Sequence, residues 1–220
     1  MGGFFITGTN TGVGKTVITR ALARALSKRG RRVAALKPEE SGADPTPLDA
    51  VALARAARMS SDLGENIRFT FRDPVSPHLA ALREGQTIRR EEILSFVAAW
   101  EARGDLLLVE GAGGLLVPLA NTWTYGDLVP DTGLRLIIVA PNVLGAINVT
   151  LLTLEAARHR HIDVAGVILN GTPSSDFGNA SAISRIGAVP VLGEFPTAER
   201  WTDDEELAAL ATATLQLDIF

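Results

Sequence analysis

Cysteine is absent from this 220-residue sequence, which excludes disulfides, thiolate metal centres and cysteine nucleophiles. Histidine is scarce. His78, His159 and His161 are the three present, too few and too scattered for a multi-histidine metal cage. Positive charge is not in surplus: 21 Lys and Arg face 25 Asp and Glu, a net charge of −4. Such a balance speaks against non-specific nucleic-acid binding and against an anionic membrane surface. A secretory signal is not expected either. Met1-Gly2-Gly3 carries no basic side chain, and the apolar run Phe4-Phe5-Ile6 is short. Residues 136–154 contain no charge, but Pro141, Asn142, Gly145, Asn148, Thr150 and Thr153 interrupt them. They read as a buried strand, a loop and a buried helix of a cytoplasmic protein rather than a membrane span.

What is present describes a folded domain. Apolar residues make up 46% and charged residues 21%, which excludes disordered and fibrous classes. The length suits one domain over residues 1–220. Lysine is rationed: only Lys15, Lys28 and Lys37 occur, and all other basic residues are Arg. A position that keeps Lys in such a chain is a candidate for needing a compact ammonium. Lys28, late in a helical pattern, reads as a solvated surface residue. Lys15 and Lys37 adjoin Gly or Pro in loop-like sequence.

Short apolar runs alternate with helical patterns. Strands are expected at residues 4–7, 33–36, 106–109, 136–140, 164–169 and 189–192. Helices are expected at 16–29, 48–59, 91–102 (closed by Gly104), 146–158, 180–186 and 203–214. No element is assigned between Met59 and Glu91. The strands are apolar throughout rather than alternating, so both faces are buried. The fold class is α/β: a single doubly wound domain with a mainly parallel sheet flanked by helices, and ligands at the carboxyl ends of the strands.

Three segments carry chemistry. Gly8-Thr-Asn-Thr-Gly-Val-Gly14-Lys15-Thr16 follows a strand and opens a helix, the context of a P-loop. Its glycines let backbone N–H groups close around phosphates, Lys15 reaches the β- and γ-phosphates, and Thr16 can hold Mg²⁺. The match is offset by one residue, because Thr9 stands where the first glycine usually lies. Lys37-Pro38-Glu39-Glu40-Ser41-Gly42 ends the second strand. Lys37 there is either a second ammonium beside the γ-phosphate or part of a strand-ending turn. Glu39 and Glu40 are unusually acidic neighbours for it, and either point outward or bind an amine. Glu110, before Gly111-Ala112-Gly113-Gly114, is a Mg²⁺-ligand candidate or an ordinary strand-end acid. Asp49 is a helix N-terminal acid or a further ligand. His78 is structural or catalytic, and Asn170 reads a base edge or starts a turn.

Taken together, GTNTGVGKT, KPEESG, PVSPH, LVEGAGGLLVPL, LGAINVTLLTLEA, GVILN and LGEFP, in this order, resemble the dethiobiotin synthetase family, of the P-loop NTPase superfamily. The resemblance runs from about Ile6 to Pro196. It implies an ATP-dependent cyclo-ligase of biotin biosynthesis that closes a ureido ring from 7,8-diaminopelargonate and CO2. It also implies roles. Gly12, Val13, Gly14, Lys15, Thr16 and Val17 would wrap the ATP phosphates. Thr16, Asp49 and Glu110 would hold Mg²⁺. Glu110, Gly111, Ala112 and Gly113 would line the nucleotide site. Asn170 and Gly171 would meet adenine, beside Pro196, Thr197 and Ala198. Lys37 would be the active-site lysine, acting with Lys15, Thr11 and Ser41, and Ser41 would contact the substrate. Gly145 and Asn148 would take the substrate carboxylate across a homodimer. Asn10 and Gly12 depart from the acidic residues frequent in the family.

Two other readings share the fold. A regulatory ATPase switch of the MinD or ParA kind carries a lysine early in the P-loop, where this chain has Asn10 and no Lys before Lys15. A cobyrinate-type amidating synthetase needs a glutaminase cysteine, which this sequence lacks.

Overall fold

The computed structural model describes residues 2–59, 65–103 and 106–220. The chain runs β1 (Gly3–Gly8), α1 (Lys15–Lys28), β2 (Val33–Ser41), α2 (Leu48–Ala56), β3 (Ile67–Phe71), α3 (Pro77–Arg83), α4 (Arg90–Glu101) and β4 (Leu106–Gly114). It continues through β5 (Pro118–Ala120), β6 (Trp123–Thr124), α5 (Tyr125–Thr132), β7 (Arg135–Pro141), α6 (Ala146–His159), β8 (Val164–Asn170), α7 (Asn179–Gly187), β9 (Val191–Phe195) and α8 (Asp204–Thr214). Seven strands form one sheet in the order β3-β2-β4-β1-β7-β8-β9, and every pairing in it is parallel. The short β5–β6 pair is antiparallel.

Two apolar layers follow from the alternation of side chains along buried strands. Phe4 and Ile6 of β1 join Ile18 and Leu22 of α1, Leu53 of α2 and Leu207 of α8 on one face. Phe5, between them, faces Ile93 of α4, Leu128 of α5, Leu154 of α6 and Ile183 of α7 on the other. The chain winds outward through β2 and β3, returns through β4 beside β1, and leaves on the other side through β7, β8 and β9. The loops after β1, β2 and β4 therefore meet at a switch point, where open α/β sheets bind ligands.

Several expected boundaries move. The second strand does not stop at Leu36. It runs on to Ser41, because Lys37, Glu39 and Glu40 pair with Ile67, Phe69 and Thr70 of β3, a strand missing from the sequence reading. Its Ile-Arg-Phe-Thr-Phe alternation is that of an edge strand, covered on one face. The glycine-rich stretch after Glu110 is also strand. β4 continues to Gly114, which pairs with Gly8 across a register shift. The last strand starts at Val191 rather than residue 189, since Ala188 is left-handed at the end of α7. Two short helices, α3 and α5, are additional. α5 is started by a capping box between Thr124 and Asp127. The expected helix stop at Gly104 lies outside the described residues. No helix among the described residues is long and apolar enough to cross a membrane. The uncharged residues 136–154 divide into all but the first residue of β7, a loop and the first part of α6.

Candidate active site

The P-loop lies between β1 and α1. Gly14 has φ 91°, a conformation that suits glycine, and a Cβ there would come within 2.0 Å of the Asn170 Nδ2. Lys15 and Thr16 are the first residues of α1, so backbone N–H groups and the helix dipole converge where the Lys15 ammonium lies. Lys15 is buried and its Nζ reaches the Asn10 carbonyl at 3.4 Å. Burial pulls its ammonium below the ordinary lysine range, against the attraction of Glu110.

The ends of β2 and β4 bring the second lysine and its partners to the same place. The buried Lys37 Nζ donates to Glu110 Oε1 at 2.8 Å and to Asp49 Oδ2 at 3.3 Å. The Thr16 hydroxyl donates to the same Glu110 oxygen at 2.9 Å. Burial disfavours the Lys37 ammonium, but Glu110 and Asp49 outweigh it and hold the group charged, above the usual lysine range. Glu110 is fully buried and its Oε2 has no hydrogen-bond partner. An unpartnered buried carboxylate oxygen, the Asp49 carboxylate and the Thr16 hydroxyl make the all-oxygen donor set that a hard divalent cation takes. These residues fit Mg²⁺. Among the described residues no three His, Cys, Asp or Glu side chains converge as a metal cage, so water or phosphate oxygens would complete the shell.

Glu39 and Glu40 are both buried, which corrects the outward reading. Glu40 accepts the Asp49 and Ala50 backbone N–H groups at 3.0 and 2.9 Å. It thereby caps α2, whose own N-cap Pro47 supplies no side-chain acceptor. Glu39 is fully buried, and burial raises its carboxyl to about 8 despite the attraction of Lys37 and the nearby Ala112 N–H, which donates to the Tyr125 hydroxyl.

Lys15, Thr16, Lys37, Glu40, Asp49 and Glu110 line a cavity of about 730 Å³, in the range of small-molecule sites. Of the residues expected there, Thr11, Gly12, Gly14, Lys15, Thr16 and Val17 line it from the P-loop. Lys37, Ser41, Asp49, Glu110, Ala112, Gly113, Asn170 and Ala198 line it from the other elements. Others stand behind it. Val13 is buried in the apolar layer under the loop, and Gly111 abuts the Phe5 and Tyr125 rings. Thr197 bonds reciprocally with Thr172, joining the loops after β8 and β9, and Gly171 donates to the Phe195 carbonyl. Pro196 is not among the lining residues. The Asn170 amide donates to the Val13 carbonyl at 2.9 Å, so here it braces the P-loop. Gly145 and Asn148 are exposed around the start of α6 and do not line the cavity.

The sequence reading missed several lining residues. Pro74, Val75, Ser76 and Pro77 form one wall. Ser76 Oγ lies 3.1 Å from His78 Nδ1, and the motif around His78 was the available signal. Arg200 also lines the cavity, with an Nη2–Oδ1 distance of 3.2 Å to Asp49. Nothing local marks it out among so many arginines.

A family model described as an AAA domain matches residues 2–205. The chain is 37% identical to the ATP-dependent dethiobiotin synthetase BioD 1 of Escherichia coli O157:H7, covering 88% of this chain and 89% of that protein. It is 38% identical to the ATP-dependent dethiobiotin synthetase BioD of Bacillus subtilis (strain 168), covering 89% and 87%. A ParA family ATPase from Chlorobium tepidum superposes with a TM-score of 0.57 at 13% identity, over 99% of this chain and 92% of that one. That likeness carries the P-loop fold alone. The chain belongs to the ATP-dependent dethiobiotin synthetase family.

Proposed function

We propose that this protein converts 7,8-diaminopelargonate, CO2 and ATP to dethiobiotin, ADP and phosphate in the cytoplasm. The observation that carries the reading is the pair of buried ammonium groups, Lys15 and Lys37, in the P-loop cavity with Glu110 and Asp49. One substrate amine adds CO2 and loses a proton to give a carbamate. A carbamate oxygen attacks the γ-phosphorus, releasing ADP and leaving a carbamic–phosphoric anhydride. The second amine attacks the carbonyl carbon, phosphate departs, and the ureido ring closes. The carbamate is an anion when it meets ATP, another anion, so the two lysines lower that repulsion, and positioning supplies much of the rest. Bound Mg²⁺ would neutralise the charge on the phosphates from Thr16, Asp49 and Glu110. No protein nucleophile is required.

The substrate carboxylate is assigned to Gly145 and Asn148 of a second copy in a homodimer. Support comes from α6, which is apolar on more than one face. Leu154 is buried and Ile147 and Leu151 pack on the core. Val149 and Leu152 are exposed, as are Val143 and Leu144 just before the helix. A second copy is the simplest cover for such a surface.

The test is ADP release by the purified protein with diaminopelargonate, bicarbonate, Mg²⁺ and ATP. Release should require the diamine and CO2 together, with dethiobiotin formed in equal amount. Equal turnover without the diamine would sink the synthetase reading in favour of a switch ATPase.

A further inference from the structure

Arg200 stands apart from the other cavity cations. Lys15 and Lys37 are buried on the P-loop and β2, whereas Arg200 comes from the loop between β9 and α8 and its side chain is 58% exposed. Its backbone is nevertheless fixed. The buried Arg20 of α1 donates through Nη1 to the Arg200 carbonyl at 2.5 Å and through Nη2 to the Thr202 carbonyl at 2.8 Å. The Arg20 Nε donates to Asp204 at 2.8 Å. Arg200 is thus an exposed side chain on a pinned main chain, at the rim of the cavity.

Its partner is shared. Asp49 receives Arg200 on Oδ1 at 3.2 Å and Lys37 on Oδ2 at 3.3 Å. Lys37 has Glu110 as a second carboxylate at 2.8 Å. Arg200 has no second carboxylate partner among the described residues. A metal ligated by Asp49 competes with both cations for the same two oxygens, and Arg200 is the one without a replacement. A guanidinium has five N–H donors in a planar fork that matches phosphate oxygens. One of them meets Asp49 here.

We propose that Arg200 is a nucleotide-binding residue that passes from Asp49 to the triphosphate when the nucleotide and its metal occupy the cavity, as a third cation beside Lys15 and Lys37. The assignment rests on the nucleotide-binding reading above. It gives Arg200 a role that depends on phosphate charge, not on the adenine.

Calorimetric binding to the full chain tests it. The probes are Mg²⁺ with a non-hydrolysable ATP analogue, and AMP without metal, each without the diamine. Arg200→Ala should weaken the triphosphate analogue by about tenfold and leave AMP affinity within about twofold. Arg200→Lys should recover part of the loss, since it keeps the charge but not the fork. Equal affinity of Arg200→Ala and the unaltered protein for the triphosphate overturns the assignment, as does an equal loss for both probes. If the unaltered protein binds neither probe, the nucleotide reading itself fails.

Discussion

At the carboxyl ends of β1, β2 and β4 the chain buries charge, and around the start of α6 it exposes apolar side chains. Lys15, Lys37, Glu39, Glu40 and Glu110 are all inside. Leu144 is 82% and Leu152 57% exposed. Both regions invert the usual distribution, and each inversion has a cost in the isolated chain. Lys37 and Glu110 are tolerated because opposite signs lie within hydrogen-bond reach, and Glu40 because two backbone N–H groups meet it. Exposed leucines keep their contact with water. The chemistry left unsatisfied differs accordingly. A cavity with two ammonium groups and an unpartnered carboxylate oxygen suits phosphates and a divalent cation. A leucine and valine surface suits another apolar surface. On the function proposed above, one region meets a ligand and the other a second subunit.

The sharpest attack on the charged region is Lys37→Arg. Arg keeps the charge but is bulkier and delocalised, so it would misplace the contact proposed between Lys37 and the transferring phosphoryl group. Ring closure should fall by at least ~10²-fold while circular dichroism stays native. Near-native turnover would remove Lys37 from the reacting centre.

The apolar region can be broken without touching the cavity. Leu144→Asp combined with Leu152→Asp should weaken dimerisation by about 10²-fold, roughly the effect of two lost apolar contacts. Sedimentation should then show a 23.3 kDa monomer, against the dimer proposed for the unaltered chain. A monomeric unaltered chain with full activity at micromolar concentration would refute both the dimer and the shared substrate site.

The smallest effect separates charge that serves the ligand from charge that only burdens the fold. Glu39 has its carboxyl raised to about 8, by burial first. Between the ordinary glutamate value and about 8 the unfolded chain has lost this proton and the folded chain retains it. Stability therefore falls as pH rises through that window. Glu39→Gln should be more stable than the parent at pH 8, by on the order of 2 kcal/mol, with the gain shrinking toward pH 5. Thermal melts at the two pH values decide it. A gain independent of pH would show that Glu39 does not titrate there.

Legibility differed between the same two regions. The P-loop, Lys37 and Glu110 could be read because glycine spacing, lysine scarcity and strand ends are local properties. The apolar excess of α6 was also local, visible as leucines and valines all around one helix. Arg200 and the Ser76 wall were not legible. They reach the cavity through the return of the chain after β9 and β3, and one arginine among many carries no label. The role of Glu40 was equally hidden. Its sequence neighbour is Lys37, but its hydrogen-bonding partners are the first amides of α2, nine and ten residues on.

The sequence by itself determined the parallel α/β class, the phosphate-binding loop and the family, because these rest on burial periodicity and on short motifs whose geometry is nearly self-contained. Tertiary structure alone decided which carboxylate meets which cation. Contacts such as Thr16 with Glu110, 94 positions apart, depend on strand order. In a parallel sheet that order brings the ends of β1, β2 and β4 together whatever their distance along the chain.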